Sequence, residues 1–519
     1  MRKQYILAHD LGTTGNKAVL VHCEKGVQKA FFAPYNTYYP APTWAEQDPG
    51  EWWNAVVTST RSLLRCAHVL PEDLACLVFS GQMMGCVPVD RYGNPLRRAI
   101  IWADQRATGE LQELLNQCDL QEIYNITGHR VGPAYSALKI MWIRKHEYDV
   151  FRQSHKFLQA KDFIIHRLTG KWVTDYSDAC GTGLLDIKSK QWSERMLRAT
   201  GISEALLPEI FPSDAVIGEV AKEASRMIGL PPGLPVVVGG GDGVCATAGA
   251  GVVTPTIGHV YLGSSAWVAG ASDSPVFDPQ MRTFTWPHVD PALYSPNGTM
   301  HNAGSALEWA KTALAKCETK VAEWCDVNPY DLIEKEAERV PPGAAGLLFL
   351  PYLMGERSPY WNPNARGVFL GITRRHTTAH LLRAVYEGVA LNLRTIFLVL
   401  KKELGLDFSE TRLIGGGAVS HLWTRILANV LDTSLWVTTA PLEATAIGAA
   451  MAGAVGVGLL PNFKIAAERF VGVREVVEPG PEKEFYAHMH KIFLETYEAV
   501  TGIFEQLVLL VEEGVNGLA

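Results

Sequence analysis

Two apolar runs open the chain, YILAHD (5–10) and NKAVLV (16–21), and between them lies the compact turn Gly12-Thr13-Thr14-Gly15. Alternation on both sides of a glycine-bearing turn predicts a β-hairpin. The period then lengthens. PGEWWNAVVTSTRSLLRCAHVL (49–70) carries helical spacing, with Pro49 suited to a first turn. ACLVFSGQ (75–82) is apolar throughout and predicts a buried strand ending in Gly-Gln. GCVPVDRYGNPLRRAIIWAD (85–104) predicts a strand, a turn on Tyr92-Gly93-Asn94-Pro95 and another strand. SALKIMWIRKHEYDVF (136–151) predicts one helix with Leu138, Met141, Trp142 and Ile143 towards the core. AKDFIIHRLTG (160–170) predicts a helix stopping at Gly170. LPVVVGGGD (234–242) is an apolar run that halts at three glycines and an acid.

The second half repeats the opening device. TIGHVYLGSSAWVAG (256–270) again places a small hydroxyl-rich turn between apolar runs. ETRLIGGGAVSHLWTRILANVLD (410–432) again ends a strand in a glycine triplet, followed by a helix. PLEATAIGAAMAGAVGVG (441–458) is rich in small residues and predicts a tightly packed helix. EKEFYAHMHKIFLETYEAVTGIFEQLVLL (482–510) predicts an amphipathic helix packed on its own domain. A device occurring twice, half a chain apart, predicts duplicated domains. The expected boundary lies in GVVTP, giving domains 1–253 and 254–519.

Composition narrows the classes. A chain of 519 residues with 47% hydrophobic and 19% charged residues is globular and too long for one core. A net charge of −7 without a long basic run argues against a nucleic-acid partner. Nine scattered cysteines, none in a Cys-x-x-Cys pair, predict reduced thiols in a cytoplasmic protein. No His-Glu-x-x-His spacing supports zinc. The chain enters its first strand without a signal-type apolar region, and no stretch is long enough to span a bilayer, so no membrane partner is expected.

Four features could carry chemistry. The opening turn is neither a Walker A loop nor a dinucleotide fingerprint, since a strand follows it. Its backbone N–H groups could form an anion nest, with Thr13 and Thr14 hydroxyls and the Lys17 charge beside them. Asp10 could hold Mg²⁺ directly or through water. The alternative is a plain hairpin turn with a capping aspartate. At Gly239-Gly240-Gly241-Asp242 the glycines let the backbone approach a ligand and expose Asp242, a candidate general base. The alternative is a helix N-cap. At Gly415-Gly416-Gly417 an adenine and ribose could lie flat, or the strand could simply pack closely on its helix. Gln82, Asp104 and Arg106 end strands with polar groups that could line a polyol pocket, while Asp104 and Arg106 could equally form a structural ion pair.

Together these stretches resemble the FGGY family of carbohydrate kinases, of the actin-like ATPase superfamily. Two patterns carry most of the resemblance: YSALKIMWIRKH (135–146), including Ser136, Lys139 and Trp142 but with Ala134 departing at the leading position, and GVFLGITRRHTTAHLLRAVYE (367–387). The likeness spans essentially the whole chain. It is greatest to the xylulokinase branch, through WAEQDPGEWW (44–53), SGQMMG (80–85), IIWADQR (100–106), VVGGGDGVCATAGAG (237–251), FLPYLMGERSPYWNP (349–363) and LIGGGAVSHLW (413–423).

The resemblance implies an α/β fold of two actin-like (ribonuclease H-like) domains, each a mixed sheet flanked by helices, with a cleft between them. It implies ATP and Mg²⁺ as cofactors and a small sugar or polyol as substrate, with a homodimer as a family-level expectation. Asp242 would be the catalytic base, and Asp10 and Asp242 the metal ligands. Gly12, Thr13, Thr14 and Lys17 would form the first phosphate motif and Gly263, Ser264 and Ser265 the second. Gly416, Gly417 and Ala418 would take adenosine. Gln82, Met83, Met84, Asp104, Asp242 and Gly243 would surround the sugar. Two positions depart from that branch: Met84 stands where histidine is usual, and Gly243 where asparagine is usual. Both remove polar sugar contacts, which implies a changed substrate. The implied reaction is phosphorylation of a terminal hydroxyl, D-xylulose to its 5-phosphate. The alternatives are a kinase for gluconate, glycerol, an L-ketose or a tetritol, and a non-catalytic ATP-switched sugar-binding protein.

Overall fold

The computed structural model describes residues 3–516, with side chains through 510. Contacts divide the chain into two units. The first comprises Met1–Pro255, Ala271–Pro296 and Glu443–Gly472, and the second Thr256–Gly270, Asn297–Leu442 and Val473–Ala519.

The sheet of the first unit contains β1 (Tyr5–Leu11), β2 (Gly15–His22), β3 (Gly26–Pro34), β4 (Leu74–Gly81), β5 (Val216–Glu219) and β6 (Pro235–Gly241). The strand order is β5-β6-β4-β1-β2-β3. Counted from β3, the pairings run antiparallel, antiparallel, parallel, parallel, antiparallel. Parallel central strands need cover on both faces, and β4 is accordingly buried along its whole length. The helix Pro49–Ala67 presses Trp52, Trp53, Val56, Leu63 and Leu64 inwards, with Asp48 capping its start by accepting from the Gly50 N–H. Pro49 stands at its first turn, as the sequence predicts.

In the second large sheet, β7 (Ile257–Leu262), β8 (Ala266–Gly270), β9 (Tyr294–Met300), β10 (Glu410–Ile414), β11 (Leu435–Thr438) and β12 (Val473–Val477) follow the order β9-β8-β7-β10-β11-β12, with Phe284–Pro287 as a seventh strand beyond β9. Their pairings repeat the same series of directions. The likeness expected from two strand-turn-strand segments therefore extends over six strands of each sheet.

Two expectations meet differences. The single helix expected over 136–151 is two, Ser136–His146 and Tyr148–Gln153, separated at Glu147, where φ is −134° and ψ is 55°. The division into units also does not follow one cut at 253/254. Its first break falls after Pro255, and Glu443–Gly472 joins the first unit. The reason is close packing. The small-residue helix Ala444–Gly456 lies against the helix Asp242–Gly249 so tightly that a Cβ on Gly448 would come within 1.9 Å of the Cys245 carbonyl oxygen. A Cβ on Gly249 would come within 1.7 Å of the Ala444 oxygen. No other residue fits at either crossing.

The helix Lys483–Asn516 carries the amphipathic segment expected at 482–510, with Tyr486, Phe493 and Phe504 buried. Among the described residues, no helix is long and apolar enough to cross a membrane. All nine cysteines are free thiols.

Candidate active site

The first-unit turn is tied down from several directions. The Gly12 N–H donates to the Gly15 oxygen (3.1 Å), closing the hairpin. The Tyr35 hydroxyl donates to the Gly12 oxygen. Gln47 Nε2 donates to the Thr13 oxygen (2.7 Å), and Trp102 Nε1 donates to Thr13 Oγ1 (2.9 Å). Gly15 must be glycine, because a Cβ would sit 2.6 Å from the Ala33 oxygen. Thr14 is exposed. Lys17 stands opposite Asp10 in the β1–β2 register, and Ser80 stands opposite it on β4. Tyr35, Gln47 and Trp102 did not emerge as turn residues from the sequence. Gln47 and Trp102 lie within stretches quoted for the resemblance, which was the only signal available.

Asp10 and Asp242 are two carboxylates of this unit that burial pushes towards the protonated form. Asp10 Oδ1 is buried and accepts no hydrogen bond. Burial raises its pKa to about 6, against the opposing pull of Lys17 and the Ser80 hydroxyl. Asp242 begins the helix that follows β6, and its Oδ1 accepts from the Gly243 N–H at 2.8 Å. Burial, then the charge of Asp10, raises its pKa to about 7. The Tyr35 phenol is raised well above its usual value by burial and then by these same two carboxylates.

The glycines ahead of Asp242 have separate reasons. Gly239 has φ +71°, and a Cβ there would lie 1.7 Å from the Phe79 oxygen. Gly241 lies under Met83, whose Sδ would be 2.5 Å from a Cβ. Its N–H donates to Ser177 Oγ (2.9 Å), which donates to Asp175. Asp175 in turn pairs with the wholly buried Lys161 at 2.7 Å, which also meets Asp162 (2.8 Å) and Asp178 (3.1 Å). Burial opposes the Lys161 charge, but the three aspartates together hold its pKa well above the ordinary value. This buried cluster was not legible as a motif, since its acids sit on separate short elements.

The end of β4 carries the sugar-facing candidates. Gln82 is buried, and its Nε2 donates to Gln47 Oε1 at 2.7 Å while its Oε1 has no partner. Met83 is buried and Met84 half-buried, with the latter at φ 61°, an unusual conformation for a non-glycine residue. Two residues of the resemblance pattern brace this bend: Lys139 Nζ donates to the Met84 oxygen (2.7 Å) and Ser136 Oγ to the Gly85 oxygen (2.7 Å). Next to Gly243 the space is open, the nearest atom to a built Cβ being Met83 Sδ at 4.0 Å. Asp104 takes the ion-pair alternative. Its oxygens accept from Arg106 Nε and a terminal guanidinium nitrogen (2.7–3.0 Å), from the Arg106 N–H (2.9 Å) and from the Ala45 N–H (2.6 Å). A carboxylate so engaged has spent its acceptor capacity.

In the second unit the Gly263-Ser264-Ser265 turn closes through Gly263 N–H to the Ser265 oxygen (3.0 Å). Gly304 N–H donates to the Gly263 oxygen (2.8 Å), and Ala303 and Ser305 N–H donate to the Ser264 oxygen (2.9 and 3.0 Å). The glycine triplet adjoins this turn. Gly415 has φ +91°, and a Cβ there would sit 2.6 Å from the Leu262 oxygen. Gly417 lies on the Leu262 side chain, with a Cβ 2.4 Å from it, whereas at Gly416 the nearest atom is 4.0 Å away. Ala418 is buried, and its oxygen accepts from an Arg474 guanidinium nitrogen at 3.2 Å. Packing thus explains Gly415 and Gly417, and only Gly416 presents an open face.

Among the described residues, no group of three or more histidine, cysteine, aspartate or glutamate side chains could hold a metal. Two carboxylates at unfavourable burial, one with an unpaired oxygen, nevertheless fit an ion such as Mg²⁺ that keeps several waters and takes the rest of its ligands from phosphate.

Comparison with known proteins decides the family. The pattern of the FGGY family of carbohydrate kinases, N-terminal domain, matches residues 5–249, and that of its C-terminal domain matches 258–457. The chain belongs to the FGGY family of carbohydrate kinases. This FGGY kinase is 31% identical over 465 residues to the gluconokinase of Bacillus subtilis, covering 89% of this chain and 90% of the relative. It is 31% identical over 494 residues to the xylulose kinase of Escherichia coli, covering 93% and 98%. The crystal structure of xylulose kinase from Rhodospirillum rubrum superposes with a TM-score of 0.86 at 31% identity, covering 97% of this chain and all of that one (100%). The fold of this FGGY kinase is the α/β pair of sheet domains flanked by helices that such actin-like kinases share.

Proposed function

We propose that this FGGY kinase transfers the γ-phosphoryl group of ATP to a terminal hydroxyl of a small polyol, with D-xylulose as the first candidate acceptor. The observation that carries the reading is Asp242. It directly follows the glycines that end β6, and its pKa is raised to about 7 by burial and by Asp10. A general base works best with a pKa near the working pH. In this reading Asp242 accepts the proton of the acceptor hydroxyl as that oxygen attacks the γ-phosphorus. Gln82 orients the polyol, with Met83 and Gly243 lining it. Asp104 holds Arg106 and the Ala45 backbone rather than touching substrate.

Nucleotide binding falls to Thr13, Thr14 and Lys17 of the first unit, and to Ser264, Ser265 and Gly416 of the second. Gly12 and Gly263 close their turns with their own N–H groups and shape the loops, while Gly417 and Ala418 support Gly416. Asp10 and Asp242 would hold Mg²⁺ through water, and its charge would offset that on the phosphate oxygens. Catalysis then rests on positioning and charge neutralisation.

A second acceptor class, aldonates such as gluconate, is favoured by two observations: the gluconokinase relative and the open space at Gly243. An ADP-release assay with D-xylulose, D-gluconate, glycerol and tetritols decides between them. Activity on D-xylulose alone supports the first reading, and activity on gluconate alone replaces it with the second. ATP turnover indifferent to every polyol overturns both.

A further inference from the structure

Gln47 is wholly buried and uses both ends of its carboxamide. Its Oε1 accepts from Trp52 Nε1 (2.9 Å) and from Gln82 Nε2 (2.7 Å). Its Nε2 donates to the Thr13 oxygen (2.7 Å) and to Thr37 Oγ1 (2.8 Å). Two of these partners permit only one orientation: an indole N–H can only donate, and a peptide oxygen can only accept. The oxygen of Gln47 must therefore face Trp52 and its nitrogen must face Thr13. That choice propagates, because Gln82 can meet the Gln47 oxygen only with its own nitrogen. The Gln82 oxygen is turned the other way, buried and without a partner. A buried acceptor left empty is costly unless a ligand fills it.

We infer that Gln47 is a positioning residue. It locks the Gln82 carboxamide so that its oxygen accepts a hydrogen bond from a hydroxyl of the polyol. Through the Thr13 carbonyl it ties that contact to the phosphate-binding turn. The inference rests on the reading of Gln82 as a substrate contact. Both roles follow from one amide that cannot flip.

The test is steady-state kinetics on Q82L, Q47L, Q47E and the double variant Q47L/Q82L, with D-xylulose and D-gluconate as acceptors and ATP varied separately. Thermal midpoints serve as a folding control. Q82L is expected to raise the acceptor KM about tenfold or more while leaving the ATP KM within about threefold. Q47L raises both KM values. Q47E keeps the acceptor for Trp52 and Gln82; where its carboxyl is ionised it loses donation to Thr13, and where protonated its O–H replaces the amide donor, so the ATP KM rises with pH while the acceptor KM holds. Should Q47L not fold, Q47M, which also removes the acceptor for Gln82 and the donor to Thr13 while keeping the length of the side chain, carries the comparison with the same expected and overturning results. The acceptor KM of Q47L/Q82L should match that of Q82L, since Gln47 acts on the acceptor through Gln82. An acceptor KM unchanged in Q47L but raised in Q82L overturns the inference and leaves the Gln82 reading standing, as does a double variant whose effect is the product of the two singles. An acceptor KM unchanged in Q82L removes the Gln82 reading itself.

Discussion

The two units build the same pair of parts and hold them differently. Each has a strand-turn-strand segment beside a strand that ends in three glycines. In the first unit the turn is Gly12-Thr13-Thr14, gripped by the side chains of Tyr35, Gln47 and Trp102. In the second it is Gly263-Ser264-Ser265, gripped by backbone N–H groups of Ala303, Gly304 and Ser305 at the entry of the helix Gly304–Ala313. After the glycines the first unit continues with Asp242 and the second with Ala418. One copy therefore carries a titratable group and a side-chain network that links Gln82, the proposed substrate contact, to the turn. The other is a rigid cradle with no charge of its own at the equivalent place. Both units carry the turn, and only the first places a carboxylate after its glycines.

The sharpest way to break the comparison is to make the first unit resemble the second. Asp242→Ala gives Gly-Gly-Gly-Ala in both, and kcat should fall about 10²- to 10⁴-fold while ATP binding by calorimetry changes little. A fall of less than about tenfold would remove the base assignment.

The same residue has a stability signature. Its folded pKa of about 7 lies above the ordinary 3.8, so the native state keeps a proton that the unfolded chain has released. The favourable contribution of the protonated group is complete below pH 3.8 and lost as pH rises to about 7. Asp242→Asn should therefore match the parent near pH 4 and exceed it by on the order of 2–4 kcal/mol at pH 8, read from denaturant midpoints. A difference independent of pH would contradict the burial argument.

The second cradle is broken through its backbone. In Gly304→Ala a Cβ would lie 2.6 Å from the Gly263 oxygen. This should cost about 1–3 kcal/mol and raise the ATP KM about tenfold, with the acceptor KM unmoved. In the first unit, Tyr35→Phe removes one hydrogen bond to the turn. It should cost about 1 kcal/mol in thermal or urea unfolding and raise the ATP KM a few-fold. The smallest effect is expected at Gly243→Asn, where the space is open: melting within about 0.5 kcal/mol of the parent, but a changed ratio of D-xylulose to gluconate turnover.

The elements that hold these turns were unevenly legible in the sequence. Period and glycine placement gave the hairpins at 5–22 and 257–270, because a turn between alternating runs is a local signal. The resemblance supplied Asp10, Asp242 and both turns, but pattern alone left their alternatives open. For Asp104 the structure shows the ion pair with Arg106, which spacing alone does not record. The side chains of Tyr35 and Gln47 reach the turn across 23 and 34 positions, which no periodicity records. The assignment of Glu443–Gly472 to the first unit was invisible for the same reason. It depends on two glycines meeting two carbonyls far away in the chain.

That crossing sets a schedule for the molecule's birth. The helix that begins with Asp242 finds its companion only when residues near Gly448 have been made. At about 5–20 residues per second, a ribosome needs roughly 10–40 seconds to travel from one glycine to the other. Through that interval the face around Gly249 stays without its partner helix. The packing around the helix that carries Asp242 is thus among the parts completed last, although Asp242 itself is made before the chain is half complete.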